Sequence, residues 1–458
     1  MSRSAAVPPS PDRVRRNAMV SSYLGTAVEM YDFLLYGTAA SLVFPVLFFK
    51  DLDPVAASIA SFATLAAGYF ARPLGGILFG HFGDRLGRKK MLVITLTIMG
   101  VISFLIGLLP THDQVGAAAP VILVSLRVIQ GIAVGGEWAG AALMSMEHAK
   151  PQGRGLAASM VASGGPGGAV LATLVLTAFS VLPEDQFLAW GWRVPFLMSA
   201  ILVVIAMVMR MKVTESPEFE AAQKAAQQSD SAHRGVPLVT ILTRYPKQLL
   251  AAIGGGLAPL FLQSLLATFA LNYAVTVGHD RTTALMLVTI ANFIHMFTIP
   301  AFALLSDRVG RKPVMLTGVL LGIVLIWPFF SLISEGSGWA LLLAFIIGNP
   351  IVQGLMYGPL AAWISEKFGT EARYTGVSLS YQISTTLGAG LAPLIAAALL
   401  AAAGGGTNTW LIALFFTGLS AITGIAVLSG RETAKAPLIG TTPARAATST
   451  ERIPELVR

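Results

Sequence analysis

The sequence predicts an all-α integral membrane fold: twelve transmembrane helices in two pseudo-symmetric six-helix bundles. Three observations carry that prediction. The chain has 458 residues, 55% of them hydrophobic and 12% charged, about half the charged share of a soluble domain. So few polar groups cannot cover an aqueous surface, and most of the surface must meet lipid. The apolar residues fall into twelve stretches, each able to cross a hydrocarbon core about 30 Å thick, which takes roughly 20 helical residues. Three short motifs of the first half also return in the second half.

Along the chain, residues 1–17 are a polar tail with Pro and Arg, read as lacking regular structure. Apolar stretches follow near 19–48, 54–80, 90–110, 118–147, 155–182 and 190–211. The first is too long for a cleaved signal, carries Glu29 and Asp32, and has no small-residue cleavage site, so it reads as a spanning helix. Residues 212–244 form the longest polar interior segment, where a surface helix can begin near Pro217. Six more stretches lie near 246–277, 283–305, 313–333, 339–365, 374–401 and 407–429. Residues 430–458 are a polar tail without heptads. The expected units are therefore a tail (1–17), a bundle (18–211), a central loop (212–244), a second bundle (245–429) and a tail (430–458).

The repeats fall at equivalent junctions. Residues 80–91 read GHFGDRLGRKKM and residues 305–315 read LSDRVGRKPVM. Asp84, Arg85, Gly87, Arg88 and Lys89 thus recur as Asp307, Arg308, Gly310, Arg311 and Lys312, an offset of 223. Val128-Ile129-Gln130-Gly131 recurs as Ile351-Val352-Gln353-Gly354 at the same offset. Glu147 and Arg154 recur as Glu366 and Arg373, offset by 219. Agreement at three sites implies two homologous halves.

The net charge of +8 does not signal nucleic acid, because its placement is a topology signal. Of 31 Lys and Arg, 26 fall in the tails or in loops on the side of the tails. The opposite loops hold Lys50 and Arg281, and Arg72, Arg127 and Arg193 lie within spans or at their edges. Positive-inside bias places both termini in the cytoplasm of a plasma-membrane protein. The absence of cysteine excludes disulfides, thiolate metal sites and Cys nucleophiles. No G-x-x-x-x-G-K phosphate loop and no metal-ligand spacing occurs. The expectation is a transporter without a cofactor or metal, not an enzyme, working as a monomer in the bilayer on a small molecule and protons. A transport-like nutrient sensor would need a longer intracellular segment than 212–244.

At these residues the chain resembles the major facilitator superfamily, whose best-known motif matches Gly80 to Lys90. YDFLLYGTAASLVFP (31–45), RVIQGIAVGGEWAGA (127–141), GWRVPF (191–196) and TESPEF (214–219) narrow the resemblance to the metabolite:proton symporter family. Members carry shikimate, dicarboxylates, citrate, aromatic acids, or proline and betaine, and the first span looks most like the shikimate branch. The C-terminal tail lacks the coiled coil of osmosensing proline/betaine members. SGGPGGAVLA (163–172) faintly resembles the proline-glycine motif of drug:proton antiporters without its spacing, which keeps proton-coupled export open.

The resemblance implies a conformational latch at the loops. Asp84 pairs with a helix N-terminus or a basic residue of the other half when the inner side is shut. Arg85, Arg88, Glu147, Arg154, Asp307, Arg308, Arg311, Glu366 and Arg373 complete it. Lys89 and Lys90 read as topology anchors.

Ionisable groups at mid-membrane cost at least about 2.5–3.5 kcal/mol each, and this chain keeps several. Helical periodicity puts Glu29, Asp32 and Tyr36 on one face of the first span, and Arg127 and Gln130 on one side of the fourth. In sugar transporters of the same superfamily, an acid of the first span pairs with an arginine early in the fourth. That resemblance implies Asp32 as the proton-coupling acid and Arg127 as its partner, with Glu29 as the alternative acid. Arg127, which can meet an anionic substrate, Glu137 and Tyr36 are candidate substrate contacts, as are Gln263, Asn349, Gln353, Tyr357 and Gln382 in the second half. For Glu137, between a glycine pair and Trp138, close packing is equally open. Arg72, beside Pro73, and the isolated His295 read as structural. The expected function is proton-coupled import of a small organic acid by alternating access. The alternatives are a proton-coupled exporter and a symporter of a zwitterion such as proline or betaine.

Overall fold

Elements and what ends them

The computed structural model describes residues 10–228, 236–434, 436 and 438. Helices dominate, and no strand occurs among the described residues. The first half holds α1 (Pro11–Leu42), α2 (Pro54–Leu86), α3 (Arg88–Gly107), α4 (Ala118–Glu147), α5 (Arg154–Ser180) and α6 (Arg193–Met211). The second holds α7 (Pro246–Thr276), α8 (Arg281–Val309), α9 (Arg311–Ser334), α10 (Gly338–Ser365), α11 (Arg373–Ala402) and α12 (Trp410–Ser429). Eleven of these, α2 to α12, are long and apolar enough to cross a membrane. The twelfth, α1, spans 32 residues and carries Glu29 and Asp32.

α1 starts earlier than expected. Pro11 occupies its first turn, where a missing N–H costs nothing and the fixed φ suits a helix. Asp12 pairs with Arg15 at 3.5 Å. Residues 10–17 are therefore structured, and the rest of that tail lies outside the described residues. The central segment contains two helices, Pro237–Arg244 and one that starts at Pro217 and ends at Gln228.

Two loops need glycine. Gly87 and Gly310 have φ 107° and 110°, a backbone region that other residues avoid. Each turns the chain within one residue, so α3 starts beside the end of α2 and α9 beside the end of α8.

Packing around the seam

Within the first half, small residues let helices touch. A side chain on Gly131 would strike the backbone of Gly68, and one on Gly135 the backbone of Arg72, so α4 lies directly on α2. The second half is built less regularly. α7, α10 and α11 each contain a π-helical turn, at Leu265–Ala270, Ile347–Gln353 and Thr386–Gly390. Their counterparts α1, α4 and α5 run uninterrupted. Such turns recur at functional sites because they rotate the side chains beyond them.

Candidate functional site

The latch on the face of the termini

Asp84 Oδ1 accepts from the Tyr374 amide at 3.0 Å, and Oδ2 from the Thr375 amide at 2.9 Å and its hydroxyl at 2.8 Å. It caps α11, a helix of the other half, where the dipole favours an anion. Asp307 mirrors it, accepting from the amides of Gly155 at 2.8 Å and Leu156 at 3.0 Å at the start of α5. Tyr374 donates to the Gly136 carbonyl at 2.6 Å, and Ser378 and Gln382 both reach the Gly135 carbonyl at 3.1 Å. Trp138 stacks on Tyr381 with centroids 3.5 Å apart. The seam is shut on the face that carries residues 10 and 438.

Charges reinforce it unevenly. Glu147 pairs across the seam with Arg373 at 3.1 Å, lies 3.5 Å from Arg88, and accepts from the Ser216 hydroxyl. Arg311 pairs within its own half, with Asp307 at 2.7 Å and Glu366 at 3.0 Å. Arg154 meets Glu218 of the central segment at 3.7 Å, and Glu218 also holds Arg373 at 2.8 Å. Burial, followed by the negative charge of Glu147, raises the Glu218 carboxyl against the pull of Arg373 and Arg154. One expectation needs correction. Arg85 and Arg308 are exposed and no ion pair to either occurs among the described residues.

Sequence reasoning missed Glu215 and Glu432. Glu215 accepts from the amides of Arg88 at 3.1 Å and Lys89 at 3.2 Å, at the start of α3. Glu432 does the same for Arg311 at 2.9 Å and Lys312 at 3.0 Å, at the start of α9. Burial opposes ionisation of Glu432, but the amides of Ala434, Arg311, Lys312 and Thr433 outweigh it and hold its carboxyl below the usual range. Lys89 in turn caps the Met211 carbonyl at 3.2 Å, and Lys312 those of Leu428 at 3.0 Å and Gly430 at 2.8 Å. The signal was present: each acid lies three or four residues past the end of the last helix of its half.

The charged centre

Asp32 and Arg127 do not pair directly, contrary to expectation. Gln130 stands between them: Arg127 Nη1 donates to its Oε1 at 2.6 Å, and its Nε2 donates to Asp32 Oδ2 at 2.5 Å and to Ser103 Oγ at 3.0 Å. One α4 turn separates Arg127 from Gln130, so the amide intercepts the carboxylate first. Asp32 Oδ1 is buried without a partner. Arg127 lies 4.1 Å from the centre of the Tyr36 ring, a cation–π distance, and Tyr36 donates to Thr64 at 2.6 Å.

Glu29 faces Arg72 at 3.6 Å. Glu137 is a correction as a substrate contact. Arg210 grips it through two bonds, at 2.6 and 3.1 Å, and Thr95 through a third at 2.7 Å. Its carboxylate is thereby consumed inside the first half. Asn349, Gln353 and Tyr357 reach three different helices, at Asn292 of α8 (3.2 Å), the Pro259 carbonyl of α7 (3.5 Å) and Tyr381 of α11 (2.8 Å), and the π-helical turn Ile347–Gln353 includes the first two. Gln263 is half-buried. His295 lies 3.4 Å from Thr298. No cluster of metal-ligating residues occurs among the described residues.

Comparison with known proteins

Residues 18–434 match the family model "Sugar (and other) transporter". The shikimate transporter of Escherichia coli (strain K12) is 40% identical over 388 residues, covering 84% of this chain and 88% of the relative. The proline/betaine transporter of the same strain is 34% identical over 435 residues, covering 94% and 86%. The solved proton:xylose symporter XylE bound to 6-bromo-6-deoxy-D-glucose superposes with TM-score 0.76 at 18% identity, covering 94% of this chain and 98% of that one. The likeness to XylE shows the shared fold of twelve helices in two bundles. The chain is a multi-pass membrane transporter, not an enzyme, and it belongs to the sugar (and other) transporter family.

Proposed function

We propose that this protein imports a small organic acid together with a proton, and that Asp32 carries the proton. The observation behind this reading is the Asp32 environment. Its carboxylate is buried in mid-span, one oxygen bonded to the neutral amide of Gln130 and the other without a partner. A carboxylate with no cation in contact can gain a proton without breaking an ion pair. Arg127 is hydrogen-bonded to it through Gln130, so movement of Arg127 toward an anion would reorient the amide and change the hold on Asp32. Glu29, Asp32, Arg72 and Arg127 sum to zero charge. One monoanion and one proton keep that sum at zero, which spares the low-dielectric interior a net charge.

The named shikimate relative supports an acid rather than a zwitterion. The bundles 18–211 and 245–429 would rock about the seam while 212–244 tethers them, with both termini cytoplasmic and the inner mouth shut as described. The protein's charged centre is built from α1, α2 and α4 of a single chain, which fits a monomer in an inner membrane. Proteoliposomes with an inward proton gradient test this. Shikimate should accumulate, and Asp32→Asn should abolish accumulation while leaving exchange. Betaine uptake with inward current would replace the acid by a zwitterion. Accumulation only in everted vesicles would make the protein an exporter.

A further inference from the structure

Arg72 was expected to be structural, but its surroundings are those of an unfilled receptor. The face of α2 that carries it looks into the seam. One turn before it, the Tyr69 ring lies 3.9 Å from where a side chain on Gly390 of α11 would begin. One turn after it, Gly76 stands against Gln382 of α11, 3.4 Å by the same measure. The guanidinium between them makes no hydrogen bond to a described residue. The acid beside it, Glu29, is 3.6 Å away, outside hydrogen-bond range, and a second guanidinium, that of Arg127, shares the Phe33 ring with it. Both side chains keep 12% exposure, and Glu29 Oε2 has no partner. The Tyr69 ring packs under the guanidinium at 4.6 Å, with Phe33 at 5.9 Å. Arg127, by contrast, is 6% exposed and already bonded to Gln130.

A guanidinium presents five N–H donors in a planar fork that matches a carboxylate bidentately. Here the fork is at mid-span, partly exposed, flanked by aromatic rings, and loosely countered by one acid. We infer that Arg72 receives the carboxylate of the transported acid, and that Glu29 occupies its place between substrates. Phe33 and Tyr69, in edge contact at 5.4 Å with their planes 77° apart, supply an aromatic corner for a cyclic substrate body. Glu29 competes with the substrate for one cation, so it excludes weak anions and helps eject the substrate. This rests on the organic-acid reading above.

The test uses the full chain in lipid nanodiscs with radiolabelled shikimate as probe and its methyl ester as competitor. Wild type should bind the acid at least about tenfold better than the ester, because the ester leaves the fork unpaired. Arg72→Lys keeps the charge but loses the fork. It should weaken acid binding about tenfold and shrink the acid/ester ratio, whereas a merely structural arginine would leave that ratio intact. Glu29→Gln should tighten acid binding severalfold. An acid/ester ratio within about twofold of wild type in Arg72→Lys would overturn the assignment while leaving the organic-acid reading in place. If wild type bound none of shikimate, benzoate and succinate, both would fall together.

Discussion

Asp84 and Asp307 each cap a helix that belongs to the opposite half, α11 and α5 respectively. The two capping contacts are related by the internal repeat, so the seam is held at two equivalent points. A rocking motion that opens this face must break both.

Asp84→Asn preserves shape and removes charge. Charge-assisted hydrogen bonds contribute about 1.5–3 kcal/mol, so the open state should gain tenfold or more. Ser378 is fully buried against the Gly135 carbonyl, and the chain has no cysteine. A Ser378→Cys reporter should therefore alkylate about tenfold faster in the Asp84→Asn background. Unchanged alkylation would mean that the cap does not hold the seam.

Glu215 and Glu432 should act on stability rather than on the seam, because each caps a helix of its own half. Glu215→Ala should cost about 1–2 kcal/mol, seen as a lower melting temperature in detergent with Ser378→Cys reactivity unchanged. Gly310→Ala should also destabilise, since φ is 110° and a side chain there would sit 2.8 Å from Glu432 Oε2.

These contacts show how far the sequence reaches. The spans were legible because the membrane demands about 20 apolar residues each, and α4 runs over the predicted 118–147. Asp84 was legible as a cap because an anchor has no use for an acid. The partners of Asp32, Asn349 and Gln353 were not. An amide that outreaches a guanidinium, or a π-helical turn that shifts register, depends on packing between distant segments. Glu215 and Glu432 escaped because their local sequences, VTESP and RETAK, share little beyond the acid.

Glu137 separates structural from transport roles. It is 1% exposed and paired with Arg210, itself 2% exposed. Removing one member of such a pair costs about 3–5 kcal/mol, whereas replacing both by apolar residues can be neutral. Glu137→Leu should fold poorly, and Glu137→Leu with Arg210→Met should recover yield and transport. A stable Glu137→Leu protein with a raised KM would restore Glu137 as a substrate contact.

Lys367 gives a pH signature. Burial, then the neighbouring Lys312, lowers its amine to about 8 despite Glu366 and Glu432. The unfolded amine titrates near 10.4. Between these values the unfolded chain binds more protons than the folded one, so this group makes stability rise with pH. The cost of charging Lys367 is fully present below pH ~8 and gone above ~10.4. The ring of Trp363, 3.8 Å from Nζ, offsets only part of it. Lys367→Met keeps the apolar stem and removes the charge. Its melting temperature should exceed wild type at pH 7, and the difference should narrow as pH rises from 8 to 10. A constant difference across that range would show that Lys367 is hydrated in the folded protein.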